Sequence, residues 1–556
     1  MLRLAAARRL RRMKGNPARR RWSAASGAAR AVAQCNGVSW QPEIDEIRRR
    51  EAIAREMGGA ANVERQHKAG RLTVRERIAR LLDSDSFHEI GSLTGRAIYD
   101  ESGQLSSFTP SNFVTGTGRI DGRPVVVGGD DFTVRGGAHD AAIGDKMGHG
   151  EKLARGLRIP MVRLVDGTGG GGSVKTIEQI GRTYVPANPA WDTITAMLGE
   201  VPVVGACLGP VAGLGAVRVV TSHFSLMVRG SSQLFVAGPP VVERGVGEKV
   251  SKEDLGGYEI HARGSGAVDN EVASEEDAFQ AIRQFLSYLP PSVWQPPPRA
   301  ASDDDPKRRE EELISIIPRD RRRAYDIRRI LAAVFDRDSF FEIGHYYGRP
   351  LVSGLARLNG YPVGVIANDP RHGGGAPNAP ACDKMIRLVD TCDTFHIPVV
   401  NFVDNPGFLI GSAAERAGTV RAGARALVAV YQASMPWVSI LIRRCYGVAG
   451  AGHGNAQALN LRYAWPSGDW GSLPIEGGVQ AAYRREIEAS PDPDARRREI
   501  EEKLHRFRSP LRTAEAFGIE EIIDPRDTRT LLCEWVEGAY RMRPAELGPK
   551  ARTCRP

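Results

Sequence analysis

Two kinds of hydrophobic pattern alternate along this chain. Short apolar runs, "GRPVVVGGDDFTV" (122–134) and "GYPVGVIANDP" (360–370), predict strands, and "IPMVRLVD" (159–166) and "IPVVNFVD" (397–404) predict buried strands. Between them "DKMGHGEKLARGL" (145–157) and "DKMIRLVDTCDTF" (383–395) place apolar residues at helical spacing. Strand–helix–strand order, met twice, predicts an α/β fold. Residues 481–507 alternate charges of both signs, which fits solvent-facing helices better than a nucleic-acid patch.

The repetition extends to individual residues. "DSFHEIG" (85–91) returns as "DSFFEIG" (338–344). Asp145-Lys146-Met147 matches Asp383-Lys384-Met385, Ile159-Pro160 matches Ile397-Pro398, and Asp166 matches Asp404, all at an offset of 238 residues. Ungapped matches at one offset imply two homologous domains. A stretch rich in proline and charge, "LPPSVWQPPPRAASDDDPKRREEE", lies between them. The expected division is a tail over 1–42, a first domain over 43–295, a linker over 296–309 and a second domain over 310–556.

A chain of 556 residues is too long for a single core. The net charge of +10 suggests a nucleic-acid partner until it is located. Residues 1–42 hold ten basic residues and no acid, which leaves the body balanced at 66 against 66. Neither a nucleic-acid partner nor a membrane span is expected. The tail has the Arg-rich, acid-free look of a transit peptide, but Arg-richness pervades the chain (65 Arg against 11 Lys), and a misassigned start in a GC-rich bacterial gene gives the same tail. The expected location is the bacterial cytoplasm, or the mitochondrial matrix if the tail is a targeting segment. Seven cysteines without a C-x-x-C pair point to a reducing compartment and no structural zinc. Eleven histidines without an H-E-x-x-H motif add no reason to expect a metal.

The candidate chemistry centres on "RLVDGTGGGGSVKTIEQIG" (163–181), where a strand runs into four glycines and then a helix. Bare backbone there lets N–H groups approach a ligand closely. A P-loop needs Lys directly after its last glycine, and Lys175 stands three residues beyond Gly172. Gly167, Gly169 and Gly172 match the spacing of a dinucleotide fingerprint, yet "TYVPANPAWD" gives no second strand ending in an acid.

Longer motifs decide between these readings. "RLTVRERIARLLDSDSFHEIG", "DDFTVRGG", "LFVAGPPVVERGVGEKVSKEDLGGYEIHARGSGAVDNE", "VDNPGFLIGSAAERAG" and "AWP" resemble the carboxyltransferase (β) subunits of biotin-dependent acyl-CoA carboxylases, from about Glu43 to about Glu537. The resemblance implies two tandem crotonase-like spiral domains and a homo-oligomer, usually a hexamer, with active sites where one subunit's N-domain meets another's C-domain. It implies transfer of CO2 from N1 of carboxybiotin to the α-carbon of an acyl-CoA. Both the enolate and the biotin ureido oxygen then need preorganised N–H donors, and the free biotin nitrogen takes the α-proton. No side-chain base is required.

By the same resemblance, "DGTGGGG" places Gly169 and Gly170 at the thioester oxygen, with Gly171, Gly172 and Lys175 toward CoA. Lys175 and Arg182 could meet CoA phosphates, though exposed helix charges are the commoner reading of both. "CYGVAGAG" places Val448 and Ala449 at the ureido oxygen, and Gly407 and Phe408 form the wall beside biotin. Ala451, between Gly450 and Gly452, floors an acyl pocket roomier than acetyl, so short-to-medium acyl-CoA of propionyl type is the expected substrate. His261 reads as a structural turn residue, and Asp166 and Asp404 as loop-orienting acids. The chain departs from the family at "DGTGGGG", "YGVAG" and "SGDWGSLP". Lacking an ATP-grasp loop and a Met-Lys-Met biotin acceptor, it implies a partner: a biotinylated, ATP-using biotin carboxylase (α) subunit. The alternatives are a decarboxylase running the reverse chemistry, a hydratase for which Glu178 is the lone candidate acid, and an inactive scaffold.

Overall fold

The fold was analysed in a computed structural model that describes residues 39–138, 141–167, 177–178, 181–183, 185, 187–188, 190–454, 459–541 and 546–555. Residues up to 52 form one unit and 53–556 a second. The first holds most of the helix Gln41–Arg55, a polar helix in which Glu46 accepts from Arg49 and Arg50, both at 2.7 Å.

The second unit is built on two large sheets. Strands of the first half are β1 (His88–Ile90), β2 (Gly95–Tyr99), β3 (Leu105–Pro110), β4 (Phe113–Ile120), β5 (Arg123–Asp130), β6 (Met161–Val165), β7 (Val203–Cys207), β8 (Pro210–Ala212), β9 (Phe224–Val228), β10 (Gln233–Phe235) and β11 (Asn270–Val272). Those of the second half are β12 (Phe341–Glu342), β13 (Leu351–Leu358), β14 (Tyr361–Asn368), β15 (Val399–Asn405), β16 (Trp437–Tyr446), β17 (Asn460–Ala464), β18 (Asp469–Gly471) and β19 (Glu521–Ile522). The sheet orders are β1-β4-β5-β6-β7-β9-β11 and β12-β13-β14-β15-β16-β17-β19, with β18 beside the end of β16, and β2–β3 and β8–β10 are separate two-stranded pairs.

The repeat is visible in register. β4–β5 and β13–β14 are antiparallel hairpins, and β6–β7 and β15–β16 are parallel pairs in which Met161 faces Val203 and Val399 faces Trp437. Every residue of β6, β7, β9 and β15 is buried, as strands covered on both faces require. The helix Ala141–Leu157 connects β5 to its parallel neighbour β6, and Ala379–Thr394 connects β14 to β15. Asn378 caps the second of them by accepting from the Ala381 N–H at 3.0 Å.

The two halves share a core. Phe224 of β9 stacks on Phe285 at 4.8 Å and meets Phe341 of β12 edge-on at 5.3 Å. The proline-rich stretch after Leu289 is tied down. Arg308 donates to the carbonyls of Ala333 and Phe335, and Arg529 to those of Asp304 and Asp305. The helices Ile475–Ala482, Arg484–Glu488 and Pro493–His505 carry the charged segment, and Val479, Ile487 and Ile500 form their small core.

Candidate active site

Each half carries a fully buried aspartate at the end of the matching strand, Asp166 after β6 and Asp404 on β15, and each is held by arginines. In the second half Asp404, on β15, accepts from Arg443 Nη2 at 2.8 Å, Arg444 Nε at 2.7 Å and the Tyr325 hydroxyl at 2.9 Å. Burial alone would raise its carboxyl, but the two guanidinium groups outweigh that and hold it below the ordinary range. In the first half Asp166, just past β6, accepts from Arg77 at 2.8 Å, Gln66 at 2.9 Å and Arg71 at 3.1 Å. Arg77 itself is fully buried and also grips Glu275 at 2.6 and 2.9 Å. It stands on the helix Val74–Leu81, which starts where it does because Thr73 and Glu76 form a capping box. Both aspartates are ion-paired at the strand ends where the sequence places them.

Beyond Asp404 the chain turns sharply. Gly407 has φ 110°, a region glycine enters at no cost, and its N–H donates to Asn405 Oδ1 at 3.0 Å. Phe408 then folds back onto the helix Thr419–Gln432 at Gly423, where even a Cβ would lie 2.6 Å from the Phe408 ring. The end of β16 leads through Gly447 (φ 61°) into the short helix Gly447–Ala451. Val448 and Ala449 occupy its second and third positions, whose N–H groups have no acceptor inside the helix. The Val448 side chain is 65 % exposed, whereas Ala449 is buried.

Phe408 and Ala449 line one cavity of about 30 Å³, together with Asn405, Met385, Gly452 and His453. One residue of the candidate biotin wall, Phe408, and one of the second candidate oxyanion turn, Ala449, thus meet at one place, whereas Gly407 and Val448 do not line that cavity. The space beside the three small residues is already taken: a Cβ at Gly450 would lie 2.8 Å from the Cys445 backbone, and one at Gly452 2.4 Å from Leu427. Their smallness serves packing of this turn. The side chain of Ala451 is exposed, and its carbonyl accepts from the Tyr431 hydroxyl at 3.2 Å.

Gly169, Gly170, Gly171, Gly172 and Lys175 lie outside the described residues. Their flank is described: Gly167 packs so closely on Gly137 that a Cβ on it would sit 2.6 Å from the Gly137 carbonyl oxygen. Arg182 and Glu178 are exposed. His261 bonds to the Leu234 carbonyl at 2.8 Å and to Ser265 at 3.4 Å, and burial lowers its basicity. Cys445 faces His453 at 3.7 Å, but burial pushes the thiol up to about 12, which removes it as a nucleophile. The lysines of the repeated Asp-Lys-Met are buried. Burial lowers Lys384 to about 7 and Lys146 to about 8. Lys384 donates to the carbonyls of Gly344 and Tyr347 at 3.0 and 2.6 Å, fixing the loop after "DSFFEI". Among the described residues no group of three or more His, Cys, Asp and Glu is placed to hold a metal ion, and no helix is long and apolar enough to cross a membrane.

Sequence reasoning passed over the counter-ions Arg77, Glu275, Arg443 and Arg444. One signal pointed to them: a buried strand ending in Asp, repeated, requires a compensating cation in each half.

Known proteins were compared against this geometry. The carboxyl transferase domain family matches residues 65–552. The chain belongs to that family. It is 34 % identical over 500 residues, 89 % of its length and 95 % of the relative's, to the propionyl-CoA carboxylase carboxyltransferase subunit of Haloferax mediterranei. It is 31 % identical to the methylmalonyl-CoA decarboxylase subunit alpha of Veillonella parvula, over 88 % of this chain and 94 % of that one. Among solved structures it matches transcarboxylase 12S, a hexamer assembly with methylmalonyl-coenzyme A and methylmalonic acid bound, with a TM-score of 0.83 and 29 % identity over 92 % of this chain and 97 % of that one. The fold is thus crotonase-like α/β, with two tandem homologous domains, and the protein is a carboxyltransferase of the biotin-dependent, propionyl-CoA/methylmalonyl-CoA type.

Proposed function

We propose that this carboxyltransferase transfers the carboxyl group of carboxybiotin, carried on a biotinylated ATP-using partner subunit, to the α-carbon of a propionyl-type acyl-CoA. The observation that carries this reading is the turn after β16. It starts a helix whose first turn offers the free N–H groups of Val448 and Ala449, and Ala449 lines one cavity with Phe408, the residue after Gly407. A donor pair of that kind suits an oxygen that gains negative charge, and each donor is worth about 3 kcal/mol in such a site. The backbone supplies it, so the change from the family's glycine to Val448 leaves the donor intact. Bound carboxybiotin supplies the CO2 and the acceptor for the substrate's α-proton.

The remaining roles belong to the chain itself. Gly169 and Gly170 donate to the thioester oxygen, and Gly171, Gly172 and Lys175 contact the CoA. Ala451 lies at the edge of the acyl site. The two buried aspartates hold both loops at the sheet ends, so that the donors need no reorganisation. The functional domains are 43–295 and 310–556, joined by 296–309, and the working form is a homo-oligomer, a hexamer, with sites shared between subunits.

The test is a panel of acyl-CoAs from acetyl to octanoyl, assayed with the biotinylated partner, ATP and bicarbonate. Propionyl- or butyryl-CoA should be the best substrate. A clear preference for acetyl-CoA overturns the substrate assignment, and carboxylation by the purified chain alone overturns the partner. Light scattering that finds an active monomer overturns the assembly. The likeness to a methylmalonyl-CoA decarboxylase subunit favours a second reading, in which the same site runs in reverse. Release of CO2 from methylmalonyl-CoA in the presence of biotin, without net carboxylation under any condition, would select it.

A further inference from the structure

The internal repeat makes each half a control for the other, and at one position the two differ in chemistry. In the second half Asn368, the last residue of β14, bridges two backbone groups. Its Oδ1 accepts from the Asp404 N–H at 3.2 Å, and its Nδ2 donates to the Gly375 carbonyl at 3.0 Å. In the first half the equivalent residue, 238 positions earlier, is Asp130. Its Oδ2 accepts from the Asp166 N–H, again at 3.2 Å. Its other oxygen, Oδ1, is buried without a hydrogen-bond partner.

The surroundings repeat closely. The Asp131 N–H donates to the Asn112 carbonyl as the Asp369 N–H does to that of Pro350, at 2.9 and 2.8 Å. The Gly137 N–H donates to the Val134 carbonyl as the Gly375 N–H does to that of His372, at 3.1 and 2.9 Å. The turns share their left-handed backbone, with φ of 53°, 65° and 61° over Arg135, Gly136 and Gly137 against 55°, 64° and 81° over Gly373, Gly374 and Gly375. Both final glycines lie hard against the aspartate's carbonyl: a Cβ would be 2.5 Å from Asp166 O at Gly137 and 2.9 Å from Asp404 O at Gly375. A frame conserved to this degree asks the residue at position 130 for one acceptor and one donor. A carboxylate offers no donor, and a carboxylic acid offers both.

We infer that the working form of Asp130 is the neutral carboxylic acid, its Oδ1 hydroxyl donating to the Gly137 carbonyl, and that in this form it fixes the base of the glycine loop as the Asn368 amide fixes the loop after β15. Asp130 is a positioning residue, since it touches the segment that precedes Gly169 and Gly170. The part of the inference that concerns turnover rests on the proposed role of those glycines.

The charged groups that face Asp130 do not agree. Arg218, from the helix Leu214–Val220, and Arg77, from the helix Val74–Leu81, favour the carboxylate, whereas burial and Asp166 oppose it. Burial is the largest effect, and the carboxyl is raised to about 6. Asp131, next along the chain, is also raised, chiefly by burial, and its carboxylate already accepts from Thr133.

Two variants and two readouts test this. Asp130→Asn supplies the amide that the second half uses, and Asp130→Leu fills the site without hydrogen bonds. A buried acid raised in the fold is destabilising above its unfolded value. The melting temperature of the wild type should therefore fall relative to Asp130→Asn as pH rises from about 4 to 6, with a constant gap above that. A gap that does not change with pH overturns the neutral acid, whatever the activity. For turnover with the biotinylated partner, the wild-type kcat should decline above about pH 6. Asp130→Asn should hold its rate to pH 8 and equal or exceed the wild type there, while Asp130→Leu should lose at least tenfold throughout. A tenfold loss in Asp130→Asn at every pH would mean that an ionised Asp130–Arg218 pair does the positioning, and the inference would be wrong. If the stability gap follows pH but both kcat profiles coincide, Asp130 is neutral and the glycine-loop reading is what fails.

Discussion

Asp404 is the anchor of the described half of the site, and its removal should be costly in a calculable way. Asp404→Leu deletes the acceptor for Arg443 Nη2 and Nε at 2.8 and 3.0 Å, for Arg444 Nε at 2.7 Å and for the Tyr325 hydroxyl at 2.9 Å. Arg443 and Tyr325 are buried, so the substitution strands a guanidinium and a phenol away from water. Breaking a buried pair by removing one partner costs about 3–5 kcal/mol. In a domain of this size each kcal/mol moves the melting temperature by roughly 2–4 °C, so the variant should melt about 6–20 °C below the wild type. Most of that cost is the unpaired charge and not the lost attraction. Asp404→Leu combined with Arg443→Met should therefore recover much of the loss, with a coupling of at least about 2 kcal/mol. The assay is differential scanning fluorimetry on the wild type, both single variants and the double variant at one pH and salt concentration. Additive losses in the double variant would refute the reasoning. A single variant that melts within about 2 °C of the wild type would refute it as well. Because Asp404 is held below its ordinary range in the fold, its stabilisation is present above pH ~4 and lost as pH falls through the folded value. The gap between wild type and Asp404→Leu should narrow in acid.

Three further outcomes follow from the same geometry. Replacing the Val448 peptide N–H with an ester oxygen should lower kcat by about 10²–10³ with little change in melting temperature, and an unchanged kcat would remove Val448 from the donor pair. Gly423→Ala puts a methyl 2.6 Å from the Phe408 ring, so Phe408 must leave its seat; KM for the biotinylated partner should rise several-fold, and an unaltered KM would mean Phe408 does not form that wall. Cys445, with its thiol raised to about 12, should resist iodoacetamide at pH 8, and full inactivation by its alkylation would contradict the buried, inert thiol seen here.

How far the sequence revealed this molecule depended on whether a feature is local. The apolar runs 122–134 and 159–166 and their copies at 360–370 and 397–404 became the central strands, because an unbroken apolar run bounded by turn residues has few other uses. The repeated Asp166 and Asp404 were legible as buried acids at matching strand ends. Their counter-ions were not. Arg77 precedes Asp166 by 89 residues and Glu275 follows Arg77 by 198, and nothing local distinguishes Arg77 from the other arginines of its helix. The glycines at 450 and 452 depend on the fold in a related way. A glycine in a sequence marks a place where no side chain fits, and only the fold tells whether a ligand or the Leu427 and Cys445 groups fill it.

The duplicated frame also bears on the departures from the family at the turns. Under the proposed function each half needs backbone N–H groups from its loop, and backbone donors do not depend on the side chain they carry. What fixes their aim lies one layer below. It is an aspartate at the strand end, saturated by arginines, and a side chain at the end of the neighbouring strand that holds the aspartate's own N–H. The first half draws its cations from residues 71 and 77, before β1, and the second from residues 443 and 444 at the end of β16. The acid stayed and the source of its charge moved. Selection on such a site acts on the buried ion network before it acts on the exposed turn, so substitutions at Val448 should be tolerated far better than any at Asp166 or Asp404. Saturation mutagenesis at these three positions, read as abundance and activity together, would expose the opposite ordering if the turn side chain were the functional element.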